Sequence, residues 1–291
     1  MSCLLSFGHG YSAQALTRLL LPQGWGIYGT TRSADKAARL QETGVHPVLW
    51  PDAASGGALT GAMRRATHLL ISAAPDAEQG DPVLARLTPE ITALAPRLDW
   101  VGYLSTTGVY GDHKGAWIDE TAPLTPATAR GQLRVEAEAA WAAIPDLPLH
   151  IFRLAGIYGP GRGPFAKVRA GTARRIIKPD QVFSRIHVED IAQVLAASIA
   201  HPDPGAIYNV CDNEPAPPED VIGYAAKLLD LPPPPAVDFE NAEMTPMARS
   251  FYAESKRTDN TRIRNELGVQ LRYPDYRAGL RALLKQERGD V

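Results

Sequence analysis

The hydrophobic pattern of the first half of the chain alternates between short apolar runs and stretches with helical spacing. Residues 2–7, 26–30, 45–50, 67–73, 100–105 and 150–154 form short, nearly continuous apolar runs. Such runs are typical of strands that are buried on both faces of a parallel sheet. Residues 12–21 instead repeat apolar side chains at helical spacing and stop at Pro22. The alternation predicts an α/β fold with a Rossmann-type doubly wound parallel sheet.

The pattern loosens after residue 159, where Gly, Arg and Lys become frequent. Residues 188–200 are predicted to be a helix, residues 206–210 a strand, residues 215–231 a Pro-rich entry followed by a helix, and residues 256–286 an amphipathic helical region. The four prolines at 232–235 favour an extended spacer. We therefore expect a dinucleotide-binding domain made of residues 1–160 and 184–212. Residues 161–183 and 213–286 are expected to form a smaller, discontinuous substrate-binding lobe.

Composition narrows the classes of function. The 291 residues carry a net charge of −2, which gives no support to a general nucleic-acid role. No apolar run approaches the roughly 18 residues that span a bilayer, and the two isolated cysteines lack metal-ligand spacing. These features favour a cytoplasmic protein with no membrane partner and no bound metal.

A glycine-rich turn follows the first predicted strand and opens the first predicted helix. It reads Gly8-His9-Gly10-Tyr11-Ser12-Ala13. Gly8 permits a tight turn, Gly10 lets a pyrophosphate approach the backbone, and Ala13 is small enough for close helix–sheet packing. The free N–H groups of the helix start, at Tyr11 and Ser12, would point at the phosphates. In this strand–turn–helix context the motif predicts a dinucleotide site.

The end of the second strand bears on the choice of cofactor. NAD sites usually place an acidic residue there to bind the ribose hydroxyls. Here the strand ends in Thr30, Thr31, Arg32 and Ser33, without an acid at its tip. A guanidinium can pair bidentately with the 2′-phosphate of NADP. Arg32 and Ser33 therefore predict NADP, with NAD the less favoured alternative.

Several further motifs occur in a fixed order. Residues 105–111 read Ser-Thr-Thr-Gly-Val-Tyr-Gly, and residues 119–123 read Asp-Glu-Thr-Ala-Pro. Residues 153–161 contain Arg-Leu-Ala-Gly-Ile-Tyr-Gly-Pro-Gly, and residues 186–192 read Ile-His-Val-Glu-Asp-Ile-Ala. Over nearly the whole chain this order resembles the extended short-chain dehydrogenases/reductases, also known as the NAD-dependent epimerase/dehydratase family.

The resemblance implies roles for individual residues. Ala73 and Ala74 should pass near the cofactor, and Ile157 should line its nicotinamide end. Thr106 takes the position of the catalytic Ser/Thr, which polarises the substrate oxygen. The basic stretch that includes Arg162 and Arg174 corresponds to the substrate side, where a cationic wall would favour an anionic ligand. His187 and Asp190 are expected to be structural.

The acid–base pair of the family is missing from its usual place. The family carries Tyr-x-x-x-Lys on the helix after the fifth strand, with a glutamate eight residues beyond the tyrosine. Aligning that glutamate with Glu138 puts Arg130 at the tyrosine position and Arg134 at the lysine position, and no tyrosine occurs between Tyr110 and Tyr158. Arginine stays protonated, so it cannot act as an ordinary general base.

Two literal Tyr-x-x-x-Lys strings occur elsewhere. Tyr252 to Lys256 lies far along the chain from the fifth strand, so we expect its spacing to be coincidental. Tyr110 to Lys114 lies in a glycine-flanked loop that would not hold the two side chains one helical turn apart. Tyr110 is retained as a catalytic candidate beside Thr106 and Arg130, although an aromatic wall is the simpler interpretation.

Two functions of different classes remain open. The first is an atypical NADP-dependent oxidoreductase or epimerase that acts on a small carbonyl or sugar-nucleotide substrate, with Thr106 and Arg130 at the reacting oxygen. The second is an inactive NADP-binding redox sensor or regulatory module. In either case we expect a small-molecule ligand of anionic character and a homodimer.

Overall fold

A computed structural model describes residues 2–51 and 56–289. The strands in this part of the chain are β1 Cys3–Phe7, β2 Gly26–Thr31, β3 His46–Leu49, β4 His68–Ile71, β5 Trp100–Thr106, β6 Trp117–Ile118, β7 Leu149–Leu154, β8 Gly156–Tyr158, β9 Arg175–Ile177, β10 Arg185–His187, β11 Ile207–Val210, β12 Ala236–Asp238 and β13 Arg257–Thr258. The α-helices are α1 Tyr11–Leu20, α2 Ala34–Glu42, α3 Gly56–Arg65, α4 Leu84–Leu94, α5 Ala129–Ala142, α6 Phe165–Arg169, α7 Val188–Ala200, α8 Pro218–Leu228, α9 Pro246–Phe251, α10 Thr261–Asn265 and α11 Tyr276–Arg288.

Seven strands form the central sheet, in the order β3-β2-β1-β4-β5-β7-β11. Every neighbouring pair in this sheet is parallel, which confirms the predicted doubly wound fold. The strand order reverses between β1 and β4, where Phe7 pairs with Ile71. Ligands of such sheets bind at the carboxyl ends of the strands beside this reversal.

Successive strand residues enter cores on opposite faces of the sheet, as the pleat requires. Leu4 packs in a core with side chains of α1 and α7. Leu5 packs in a second core with side chains of α3, α4 and α5. Both leucines are fully buried, which explains why these strands have apolar runs instead of alternating polar residues.

A third apolar cluster lies away from the central sheet and joins α6, α8 and α11. The predicted helical region 256–286 is wrong in detail, because it is divided into β13, α10, a loop and α11. Gly268 has a left-handed backbone with φ of +63°, and such a residue commonly ends a helix. The backbone N–H groups of Arg272 and Tyr273 donate to the Asp190 carboxylate at 2.7 and 3.0 Å, which fixes the loop before α11.

Candidate functional site

A cavity of about 890 Å³ opens at the carboxyl edge of the central sheet, beside the strand reversal. It extends from the glycine turn after β1 to the C-terminal segment around α9 and β13. Among the predicted site residues it is lined by Gly8, Gly10, Tyr11, Ser12, Thr106, Arg130, Ile157 and Arg162. The fold thus brings eight of the fifteen predicted site residues to one continuous space. The predicted residues that do not line it are Ala13, Arg32, Ser33, Ala73, Ala74, Tyr110 and Arg174.

The glycine turn has the geometry of a dinucleotide cradle. Gly8 has φ of +76°, and a Cβ built on it would lie 2.8 Å from the backbone nitrogen of Ala73. Gly10 is the N-cap of α1, whose first N–H groups receive no side-chain cap. A Cβ on Gly10 would meet only the Gly8 carbonyl, at 3.5 Å. Ala13 is fully buried against the sheet. The residues present therefore fit a pyrophosphate at this helix start.

Basic groups cluster at the end of β2. Arg32 is exposed directly after the strand, and Ser33 caps α2 by accepting a hydrogen bond from the Lys36 backbone N–H. Lys36 is half-buried, and sequence reasoning missed it. Burial and, to a smaller extent, the Lys36 charge lower the pKa of His9, which lies between the two glycines of the turn, to about 4. Its position in the sequence, one helical turn after the cap residue Ser33, could have identified Lys36 as a neighbour of the strand end.

The helix α5 lies against the end of β5, where Thr106 is placed. A Cβ on Gly131 would come within 2.8 Å of the Gly108 carbonyl, so the helix start and the residues after β5 are in close contact. Arg134 donates to the Tyr103 hydroxyl at 3.0 Å and to the Leu104 carbonyl at 2.8 Å. Arg130, one turn earlier, has its guanidinium over the Phe251 ring. Both arginines line the cavity.

Tyr110 is placed in the core and not in the cavity wall, so its predicted catalytic role is not supported by the geometry. The side chain is fully buried. Its hydroxyl donates to Asn209 Oδ1 at 2.7 Å and accepts from Arg153 at 2.9 Å. Burial raises its pKa to about 12. Arg153 also forms a buried ion pair with Glu138 at 2.8 Å, so this network joins β7, α5 and β11 behind the site.

The other predicted residues divide into two groups. Ala73 and Ala74 follow β4, and the Ala73 N–H donates to the Phe7 carbonyl at 3.0 Å, beside Gly8. Arg162 lies with its guanidinium 5.7 Å from the centroid of the Tyr11 ring, at the start of α1. Arg174 is exposed and does not line the cavity, because it donates to the Gly171 and Ala173 carbonyls of its own loop.

The string Tyr252 to Lys256 lies at the site, contrary to the expectation that its position along the chain would keep it away. Tyr252, Glu254, Lys256 and Thr258 all line the cavity. The residues between them, Ala253, Ser255 and Arg257, line a separate cavity of about 320 Å³. Side chains of an extended segment alternate between two faces. The every-second-residue spacing of Tyr252, Glu254 and Lys256 could therefore have indicated that they share one face.

His187 and Asp190 have structural contacts at the start of α7, in agreement with the sequence prediction. The His187 side chain caps the helix by accepting a hydrogen bond from the Glu189 N–H. Burial lowers the pKa of His187 to about 4 and raises that of Asp190 to about 6.

Among the described residues, no helix combines the length and the apolar character that a membrane span requires.

These features define the class of protein: an α/β chain with an epimerase/dehydratase-like Rossmann fold. A solved structure described as a candidate NAD-dependent epimerase/dehydratase from Methylobacillus flagellatus is 29% identical. It superimposes with a TM-score of 0.74 over 99% of both chains. The human epimerase family protein SDR39U1, solved with NADPH, is 19% identical with a TM-score of 0.76 over 97% of this chain and 99% of its own. At that identity the likeness shows the fold alone.

Nearer relatives identify the family. Protein YeeZ of Escherichia coli K12 is 31% identical over 278 residues, which cover 92% of this chain and 95% of YeeZ. The chain therefore belongs to the same family as YeeZ. A structure of a functionally unknown conserved protein from Silicibacter pomeroyi is 63% identical, with a TM-score of 0.93 over 98% of this chain and 99% of that one. No protein-family model matches the chain.

Proposed function

We propose that this protein is an NADPH-dependent enzyme of the epimerase/dehydratase class that acts on an anionic carbonyl or sugar-nucleotide substrate. The observation that carries the proposal is the single cavity of about 890 Å³ that joins the glycine turn to Thr106 and to the C-terminal segment. A cofactor bound at the turn would share this space with a second molecule. A redox sensor without turnover would not need such a compartment.

The cofactor would be held by groups at the first two strand ends. The helix α1 and Gly10 would bind the pyrophosphate, and Arg32 with Lys36 would bind the 2′-phosphate that distinguishes NADP from NAD. The human protein of the same fold was solved with NADPH. When bound, a reduced nicotinamide supplies a hydride to an electrophilic carbon.

The charge of the cavity wall supports an anionic substrate. Among the described residues, the charged side chains that line it are one carboxylate, Glu254, and five cations, namely Arg130, Arg134, Arg162, Arg185 and Lys256. A cleft lined by one sign of charge attracts ligands of the opposite sign. Thr106 lines the same wall and would donate a hydrogen bond to the substrate oxygen, as the family resemblance implies.

The test is NADPH oxidation with 2-oxo acids, UDP-4-keto-sugars and neutral ketones. We expect turnover with at least one anionic compound, at a kcat/KM at least about tenfold above that of the neutral ketones. Thr106→Ala should lower kcat by about a hundredfold, since one positioned donor contributes about that much. Thr106→Ser, which keeps the hydroxyl, is the control. NADPH binding without turnover on the whole panel, unaffected by Thr106→Ala, would favour a sensor.

A further inference from the structure

The proposed reaction needs a group that transfers a proton, and the cavity offers few. Hydride addition to a carbonyl carbon sends the π electrons to the oxygen, which must then take up one proton. The described residues that line the cavity include no histidine, aspartate or cysteine. Apart from arginines, the titratable side chains among them are Tyr11, Tyr158, Tyr252, Glu254 and Lys256.

The three tyrosines are poorly suited to this step. Tyr11 donates its hydroxyl proton to the Pro160 carbonyl at 2.9 Å, on the cofactor side. Burial raises the pKa of Tyr158, and nearby carboxylates raise it further. Burial also raises the pKa of Tyr252 to about 12, and its ring is packed against Phe183 and Phe239.

Glu254 and Lys256 form a buried ion pair in the cavity wall. Lys256 Nζ donates to Glu254 Oε2 at 2.7 Å and to the Gly111 carbonyl at 2.8 Å. Their side chains are 11% and 10% exposed. An ammonium carries three N–H donors, so Lys256 keeps one donor beyond these two bonds. Glu254 Oε1 is buried without a partner among the described residues.

The pair lies between the two parts of the site where chemistry is expected. Gly111 follows the turn that begins after Thr106. On the other side, Ser184 Oγ accepts a hydrogen bond from the Thr258 N–H at 3.0 Å. The Ser184 carbonyl accepts from the Gly156 N–H at 3.1 Å, at the start of β8, which carries Ile157. Lys256 therefore contacts the residue that follows the Thr106 turn, and Thr258, two residues later, connects the same segment to the strand expected at the nicotinamide end.

We propose that Lys256, held by Glu254, is the proton donor that takes the place of the missing tyrosine. This inference rests on the proposed function. An N–H bond of the Lys256 ammonium breaks, the proton goes to the substrate oxygen as the carbon accepts the hydride pair, and an alcohol forms. Lys256 is left as a neutral amine and regains a proton from solvent. Glu254 positions the ammonium and keeps its free N–H directed to the cavity.

The first experiment measures access to Lys256 and needs no substrate. The protein is acetylated with acetic anhydride, with and without saturating NADPH, and the rate at each lysine is read by peptide mass spectrometry. We expect NADPH to slow labelling of Lys256 and of Lys36 at least tenfold, while the exposed Lys285 on α11 is unaffected.

The outcomes separate the inference from the proposed function. Protection of Lys36 without protection of Lys256 would overturn the inference and leave the cofactor site standing. Protection of neither would overturn the proposed function. A Lys256 that stays unlabelled in the absence of NADPH would also refute the inference, since its amine would then have no access to the cavity.

The second experiment compares variants in turnover, with the best 2-oxo acid or UDP-4-keto-sugar of the panel. Lys256→Met should lower kcat at least about a hundredfold, the usual contribution of a positioned acid, and leave the NADPH Kd within twofold. Lys256→Arg should be equally slow, because arginine keeps the charge but cannot release a proton. Glu254→Gln should lower kcat less and shift its pH profile.

Two controls make these losses interpretable. Lys178→Met removes a lysine that donates to the Tyr252 carbonyl of the same segment but lines only the smaller cavity, and it should keep wild-type kcat. Tyr252→Phe should change kcat less than threefold. Full activity of Lys256→Arg, or a Tyr252→Phe loss as large as that of Lys256→Met, would contradict the assignment.

Discussion

Alanine at the two glycines of the turn should affect different properties, namely stability at Gly8 and cofactor binding at Gly10, because the two residues have different surroundings. At Gly8 a side chain meets both a left-handed backbone and the backbone of Ala73, 2.8 Å from its nitrogen and 3.0 Å from its Cα. The backbone conformation costs roughly 1–2 kcal/mol, and overpacking against the rigid strand end adds roughly 1–3 kcal/mol. We expect Gly8→Ala to lower the free energy of unfolding by about 2–5 kcal/mol.

Gly10→Ala should leave stability nearly intact and abolish tight cofactor binding. Its φ is −101°, which any residue adopts, and the new Cβ meets only the Gly8 carbonyl at 3.5 Å. The free energy of unfolding should stay within about 1 kcal/mol of wild type. The Cβ would occupy the space where a pyrophosphate approaches the helix start. An increase in the NADPH Kd of at least about thirtyfold corresponds to roughly 2 kcal/mol.

Urea unfolding followed by tryptophan fluorescence measures the first quantity, and NADPH fluorescence titration measures the second. The comparison matters because a purely structural turn would make only Gly8 sensitive. A Gly10→Ala protein that binds NADPH as tightly as wild type would refute the cradle. A Gly8→Ala protein of wild-type stability would contradict the geometry of the turn.

Three further predictions concern single side chains. Arg32→Ala should raise the NADPH Kd about ten- to a hundredfold by removing a charge-assisted bond, and leave the NADH Kd unchanged; equal changes for both cofactors, measured by fluorescence titration, would refute the 2′-phosphate contact. Burial raises the pKa of Asp212 to about 8. Between about pH 4 and pH 8 the folded protein therefore keeps a proton that the unfolded chain has released. The free energy of unfolding consequently falls as the pH rises through that range. As the pH rises, the stability of Asp212→Asn relative to wild type should therefore increase by up to about 1.4 kcal/mol per pH unit. A difference in urea midpoint between the two proteins that is the same at pH 5 and pH 8 would contradict this. Tyr110→Phe should cost about 1–3 kcal/mol of unfolding free energy, because it leaves buried partners unpaired, and keep the wild-type KM; a selective loss of kcat at unchanged stability would instead make Tyr110 part of the reaction.

The sequence was sufficient for the sheet and for the strand–turn–helix that carries the glycine motif. Short apolar runs predict buried parallel strands, and the seven-stranded order confirms them. The glycine turn could be recognised because all the residues that its motif requires lie within six consecutive positions. Helix α7 was predicted at its observed bounds, residues 188–200, because its apolar spacing is unbroken.

The C-terminal wall of the cavity could not be predicted in the same way, because its residues are joined to the rest of the site only by tertiary contacts. Lys256 reaches the Gly111 carbonyl across 145 positions of sequence, and no local spacing encodes that contact. Tyr110 belonged to a motif resembling the family's, but its burial depends on Arg153 and Asn209 from distant strands. The long C-terminal helical region was predicted wrongly because its amphipathic pattern gave no weight to the break at Gly268.

The central claim is that the turn from Gly8 to Ala13 and the end of β2 bind NADPH. Parallel titrations of the wild-type protein with NADPH and NADH, followed by nicotinamide fluorescence, test it most directly. The account predicts saturable NADPH binding at least about tenfold tighter than NADH, since a paired phosphate contributes at least about 1.4 kcal/mol. Absence of binding by either nucleotide would contradict the site, and equal binding of the two would contradict its preference for NADP.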